Sequence, residues 1–208
     1  MSSSERLRFD GVIASASFAT GDDIVVGCWP WSPFGPFVDA MWARPDGSRA
    51  LLVDDGPQAD FIWSHYAFDE QITCRTGATV TSAGLRFVGG PLAVSMRVVG
   101  VGALSIALGL RPRRLGLSDP WSRIEDRIAR VLPTSTLGTG VRVRGVTRAG
   151  ARERYVALDL RRVVARASVD GSDLGEASKR DRTTGFGFSE FPASPCLVRV
   201  TSLFDVPR

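Results

Sequence analysis

Apolar and polar residues alternate along most of this chain, and the period of two gives way to a helical period in only two places. Leu7–Phe18 and Ile24–Cys28 read as strands on either side of the turn Thr20-Gly21-Asp22-Asp23. Phe37–Ala43 and Arg49–Val53 form the clearest hairpin. Between them lies Pro45-Asp46-Gly47-Ser48, where glycine takes a positive φ at little cost. Short strands follow at Gln71–Arg75, Thr79–Ser82 and Leu85–Val88. Leu92, Val94, Met96 and Val98 alternate with Ala93, Ser95 and Arg97, which makes Leu92–Val99 a strand. Beyond it the pattern predicts strands at Val141–Thr147, Arg152–Asp159, Val163–Val169 and Cys196–Phe204. Half-solvated alternation of this kind belongs to antiparallel sheets.

The first helical stretch covers about 57–66. Asp54-Asp55-Gly56 precedes it and Pro57 opens it, at the position where a missing N–H is harmless. The second covers about 120–132. Asp119 is a good N-cap, Trp121, Ile124, Ile128, Val131 and Leu132 form one stripe, and Pro133 ends the run. The predicted class is therefore α+β, predominantly antiparallel β, barrel-like or two-sheet, with two short helices. The regular strand–helix alternation of a doubly wound sheet is absent. No linker-like composition divides the chain, so 1–208 reads as one domain with a soft seam near 110–118.

Composition narrows the functional classes. At 208 residues the chain can bury a core without disulfide or metal staples. Of 26 basic residues all but Lys179 are Arg, against 22 acidic ones, giving +4. Arginine so dominant points to a GC-rich coding sequence, and its spread along the chain argues against a nucleic-acid partner. One His and three Cys without a CxxC leave no multidentate metal site, so no metal is expected. There is no GxxxxGK[ST] and no GxSxG, and no cofactor is expected either. The first residues lack an apolar core of the secretory type, which suggests a reduced, cytoplasmic setting. Val88–Leu110 carries only one charge and is long enough to span a bilayer. Its glycines, Pro91 and the strand period of its first half favour a strand followed by a second apolar segment, Ala103–Leu110. That segment and Arg111–Arg114 together are a candidate for peripheral membrane contact.

Two aromatic segments stand out. Trp29, Trp31, Phe34 and Phe37 sit among three prolines that hold the backbone extended, so the rings could wall an apolar pocket or plug a sheet end. Phe186 and Phe188 alternate with glycines just before Ser189 and Glu190. Around Arg152-Glu153-Arg154-Tyr155, a strand would put Arg152 and Arg154 on one face and Glu153 and Tyr155 on the other. Arg154 or Arg142 could meet a ligand carboxylate, and Tyr155 lies within the same set. His65 could act in acid–base chemistry, although no nucleophile is placed beside it by the sequence. The flanks of Lys179 are polar and read as an exposed loop, a poor setting for a Schiff-base lysine.

The function these features predict is binding of a small apolar or amphipathic ligand in a barrel-like cavity. Candidate ligand residues are Trp29, Trp31, Phe34, Phe37, Arg154, Tyr155, Phe186 and Phe188. A metal-free, nucleotide-free enzyme on the same scaffold is the alternative, with carboxylates, Tyr155 or His65 carrying the chemistry. An interaction or peripheral membrane protein acting through 103–114 is the third reading. The oligomeric state is left open by the sequence.

Overall fold

The structure is a computed structural model that describes residues 4–101 and 138–207. The predicted helix at 120–132, the apolar segment 103–110, the Arg111–Arg114 cluster and the seam near 110–118 lie outside the described residues.

Thirteen strands form one mixed, mostly antiparallel sheet with a single helix among the described residues. In chain order they are β1 (Ser4–Phe18), β2 (Asp23–Trp31), β3 (Phe37–Ala43), β4 (Arg49–Val53), α1 (Pro57–His65), β5 (Glu70–Thr73), β6 (Thr76–Thr81), β7 (Gly84–Gly89), β8 (Leu92–Val101), β9 (Arg144–Val146), β10 (Arg152–Val169), β11 (Ser172–Asp173), β12 (Ala177–Ser178) and β13 (Cys196–Pro207). Their order across the sheet is β5-β4-β3-β2-β1-β13-β10-β8-β7-β6.

Local chemistry sets the hairpins as the sequence predicts. In the β3–β4 turn, Gly47 has φ 87° and the Asp46 carboxylate accepts from the backbone N–H and hydroxyl of Ser48. The β4–β5 pair is parallel and therefore needs a crossover, which α1 supplies. Pro57 starts α1, and Ala59 and Ile62 pack on Leu51, Val53 and Phe68.

The sheet curls because its two ends are joined by only two residues, Cys74 and Arg75, between β5 and β6. Thr76 at the start of β6 donates through Oγ1 to the Val38 carbonyl (2.8 Å) and to Asp54 Oδ2 (3.0 Å), and through its N–H to the same oxygen. The Cys74 N–H donates to the Val53 carbonyl. The half-barrel so formed encloses an apolar core from nearly every strand, including Ala14, Val26, Ala40, Leu52, Phe87, Met96, Ala165 and Leu197.

Three of the predicted strands differ most from those found. Arg152–Asp159 and Val163–Val169 are one continuous strand, β10. Its register against β13 shifts between Ala157 and Asp159, a bulge that swaps which parity faces inward and so breaks the alternation in sequence. Val141–Thr147 shortens to the three residues of β9, because Arg142 exchanges its backbone N–H and C=O with the Ser189 hydroxyl instead of a neighbouring strand. Leu92–Val99 is the strand β8, extended to Val101, and among the described residues no helix is long and apolar enough to cross a membrane.

Asp54 is thus a closure residue. Asp54→Ala is expected to lower stability by about 1–3 kcal/mol, since it strips the Thr76 N–H of its acceptor. Urea unfolding should show a lower midpoint with an unchanged slope. Hydrogen exchange should rise first at Cys74 and Thr76.

Candidate functional site

With the apolar core inside the curl, strand alternation sends a second set of side chains outward. On β1, Val12, Ala14, Ala16 and Phe18 point inward, and Phe9 points out. The outward aromatics of adjacent strands collect on Phe9. Its ring lies 5.3 Å from Phe204 of β13, 6.0 Å from Trp29 of β2 and 6.4 Å from Phe37 of β3. Phe61 of α1 stacks on it at 5.3 Å from above.

The Trp29–Phe37 segment is shaped for this. Between β1 and β2 the register shifts so that Trp29 and Pro30 oppose Gly11 alone. Proline suits such a bulge because it has no N–H to pair. A Cβ on Gly11 would collide with the Cys28 carbonyl and the Trp29 ring, so only glycine lets the indole lie flat here. Ser32 then turns the chain back, accepting from the Phe34 N–H and donating to the Gly35 carbonyl. Phe34 thereby lands 5.3 Å from Phe61.

A polar centre is buried against this aromatic wall. Glu153 on β10 is 1% exposed. Its Oε1 accepts from the Tyr66 hydroxyl at 2.6 Å and from the Ser202 hydroxyl at 2.9 Å. Tyr66 follows directly after α1, and Ser202 lies on β13 directly across from Tyr155. With its own O–H donating to Glu153, the Tyr66 oxygen accepts from the Tyr155 hydroxyl, 3.1 Å away. The Tyr155 ring stacks on Phe188 at 5.7 Å. Desolvation pushes the Glu153 carboxyl up to about 7, with the hydrogen bonds from Tyr66 and Ser202 pulling the other way. Burial and the neighbouring Glu153 hold both phenols well above their ordinary range.

Three polar atoms around this centre are buried without a hydrogen-bond partner: Glu153 Oε2, His65 Nε2 and Thr147 Oγ1. His65 sits at the end of α1, stacked on Phe61 at 4.0 Å and edge-on to Phe204 at 5.4 Å. Its Nδ1 is 2.7 Å from the Phe61 carbonyl, which can only accept, so Nδ1 carries the proton and Nε2 is a bare acceptor. Burial lowers the His65 pKa and favours this neutral ring. Thr147 is tied to the same corner, since the Arg148 N–H donates to the His65 carbonyl and the Thr147 N–H to that of Ala151.

A second buried carboxyl borders the aromatic wall. Asp39 of β3 accepts from Trp29 Nε1 at 2.9 Å, and desolvation raises it to about 7. Gly27 makes room for it, because a Cβ there would strike both the carboxylate and the indole nitrogen. Asp39 is also among the charges that raise Tyr155.

Of the residues singled out by sequence, Trp29, Phe34, Phe37, Tyr155 and Phe188 come together on this outward face. Phe186 packs instead on Phe68 beside α1. Trp31 is exposed at the end of β2, and Arg154 is buried one position along β10 from Glu153, on the alternate face. Ser189 and Glu190 are committed to their loop. Glu190 accepts from the Thr184 and Gly185 N–H groups and pairs with the buried Arg180 at 3.6 Å. Lys179 is exposed, beside a polar cleft of about 330 Å³ that Asp23, Asp181 and Arg182 also line. Sequence reasoning missed Phe9, Asp39, Phe61, Tyr66, Ser202 and Phe204. The one local signal was that Glu153 shares its strand face with Tyr155.

The pH dependence of stability reports on Glu153. A folded-state pKa raised from 4.5 to about 7 favours the protonated carboxyl. Its stabilising contribution is therefore complete below about pH 4.5 and is lost as pH rises through about 7. Glu153→Gln should remove that loss, gaining roughly 3 kcal/mol at most on the parent between about pH 5 and 8. His65, whose lowered pKa acts in the opposite direction as pH falls below 6.5, is common to both proteins and cancels in the difference. Chemical denaturation across this pH range measures the effect.

No protein-family model matches the chain, and no curated protein does. Two solved structures are similar over 98% of this chain: an acetoacetate decarboxylase (TM-score 0.43, 85% of that chain covered) and the acetoacetate decarboxylase of Legionella pneumophila (TM-score 0.42, 86% covered), each at 9% identity. At this level of similarity neither the fold nor the activity of those proteins transfers to this chain.

Proposed function

We propose that this protein binds a small amphipathic ligand on the outward face of its half-barrel, between the aromatic wall and the Glu153 centre. The observation that carries the proposal is the set of buried, unpartnered polar atoms beside a wall of aromatic rings. Each such atom costs about 1–3 kcal/mol if nothing meets it. Two of them, His65 Nε2 and ionised Glu153 Oε2, are acceptors. The matching ligand has an apolar body and a hydroxyl or amine group that donates. Ligand sites of this composition, mostly apolar with a few fixed polar groups, are the common kind.

The position of Phe34 supports an edge to the site. It is held by the Ser32 turn and not by the sheet, it is half-buried, and it contacts both Phe9 and Phe61. The inward face of the barrel is lined by the apolar core, and strand alternation also puts Asp10, Arg154 and Thr201 on it, with the Thr201 hydroxyl donating to Asp10 at 2.6 Å.

A second reading has one specific observation behind it. A carboxyl raised to about 7 and bonded to a phenol that is itself bonded to a second suits proton transfer near neutral pH, so the same centre could act as a general base. It separates from simple binding by the behaviour of Glu153→Gln. A binding site loses affinity for donor-bearing ligands, whereas an enzyme of this kind retains binding and loses turnover.

The binding proposal predicts that a neutral solvatochromic dye of the naphthalene class gains fluorescence on the folded protein and is displaced by medium-chain alcohols and amines. Phe34→Ala should weaken dye binding about tenfold, a loss equivalent to about 1.4 kcal/mol. Glu153→Gln should weaken displacement by amines and leave alkanes unaffected. Dye binding that is absent, or equal in Phe34→Ala and the parent, contradicts the proposal.

A further inference from the structure

The outward face of the sheet is covered at one end only. Over β3 and β4 it lies under α1 and Phe186. Over β6, β7, β8 and the second half of β10 no element among the described residues covers it. Alternation puts Arg86 and Val88 of β7, Ala93, Ser95 and Arg97 of β8, and Arg162, Val164 and Arg166 of β10 on this face. The register sets Arg86, Ser95 and Arg166 side by side, with Arg97 paired to Val164 two residues along. Arg97 is therefore diagonal to both Arg86 and Arg166, roughly 7–8 Å away across the pleat.

All four arginines are exposed, and none makes an ion pair or side-chain hydrogen bond among the described residues. Several other described arginines are paired. Arg6, Arg8, Arg44, Arg49, Arg161 and Arg182 each hold a carboxylate within 3.0 Å. The outward positions of β6, namely Gly77, Thr79 and Thr81, supply no acid either. With no acid among its described outward positions, this face carries uncompensated positive charge. It is also apolar in part. Val88 is 63% exposed and Val164 46%, with exposed Val99 in the adjoining bulge.

We infer that this arginine–valine face docks on the surface of an anionic phospholipid bilayer. Guanidinium groups reach lipid phosphates and carboxylates, and the branched side chains between them suit the boundary of headgroup and acyl chain. A single-stranded nucleic acid would be met by stacking aromatics, and this face has none. The inference is independent of the ligand site, which lies at the other end of the sheet.

The test is flotation of the full chain with vesicles of pure phosphatidylcholine or of phosphatidylcholine enriched in phosphatidylserine. The protein should float with the anionic vesicles at about 0.01 M salt and be released toward about 0.15 M, as the screening length falls from about 30 to about 8 Å. It should ignore the neutral vesicles. Each arginine contributes roughly fivefold to partitioning, so Arg97→Gln with Arg166→Gln should weaken it roughly 25-fold. Val88→Ser with Val164→Ser should weaken it equally at all salt concentrations. Circular dichroism confirms that these surface variants remain folded, and the salt titration of the parent stands without them. Absence of flotation at low salt, partitioning unchanged by the arginine substitutions, or Arg97-dependent binding to DNA without binding to vesicles would each overturn the inference.

Discussion

A strand has two faces, and closing a sheet around one core commits half of its side chains to the other side. The rest of this structure depends on how that outward half is handled. Inside the curl, apolar residues from β1–β4, β7, β8, β10 and β13 meet one another. Outside, β1–β4, β13 and the start of β10 present aromatics and carboxyls to α1, while β7, β8 and the end of β10 present arginine and valine to solvent. The bulge at Ala157–Asp159 of β10 marks the boundary between these regions. It switches the outward parity from Glu153, Tyr155 and Ala157 to Arg162, Val164 and Arg166, so one strand serves a buried polar centre at one end and an exposed basic face at the other.

The buried centre is held by chain segments far apart in sequence. Glu153 reaches Tyr66 from the end of α1 and Ser202 from β13, and Phe61 of the same helix closes over Phe9. A helix packed only by apolar contacts could slide or rotate. The short Tyr66–Glu153 bond and the Arg148–His65 backbone bond fix α1 at its C-terminal end. The same arrangement withholds water from two carboxyls, which is why both Glu153 and Asp39 are pushed to about 7. Positional order and proton affinity near neutrality thus have one origin, the burial of carboxyl groups behind aromatic rings.

Much of the scaffold was legible in the sequence because local rules produce it. Phe37–Ala43 and Arg49–Val53 match β3 and β4 because Asp46 and Gly47 define their turn without help from elsewhere. The helix after Gly56 was readable from Pro57. The continuity of β10 was not, since a bulge looks in sequence like the end of one alternating run and the start of another. In the candidate site, Trp29, Phe34, Phe37 and Tyr155 were identified by residue type. Their partners were not, because Tyr66 and Ser202 stand 87 and 49 positions from Glu153 and are joined to it only by the curl of the sheet. Arg154 drew attention for its charge, whereas the group that matters to the centre is its neighbour Glu153, buried and bonded to two elements.

The buried centre requires Glu153 to be a desolvated carboxyl that titrates near neutrality. Carbon-13 NMR of the glutamate side-chain carboxyl, with Glu153 assigned by its loss in Glu153→Gln, measures this group directly. The resonance should move with an apparent pKa of about 7. A titration at the ordinary value of 4.5 would show a hydrated carboxylate and contradict the buried centre on which the ligand site is built.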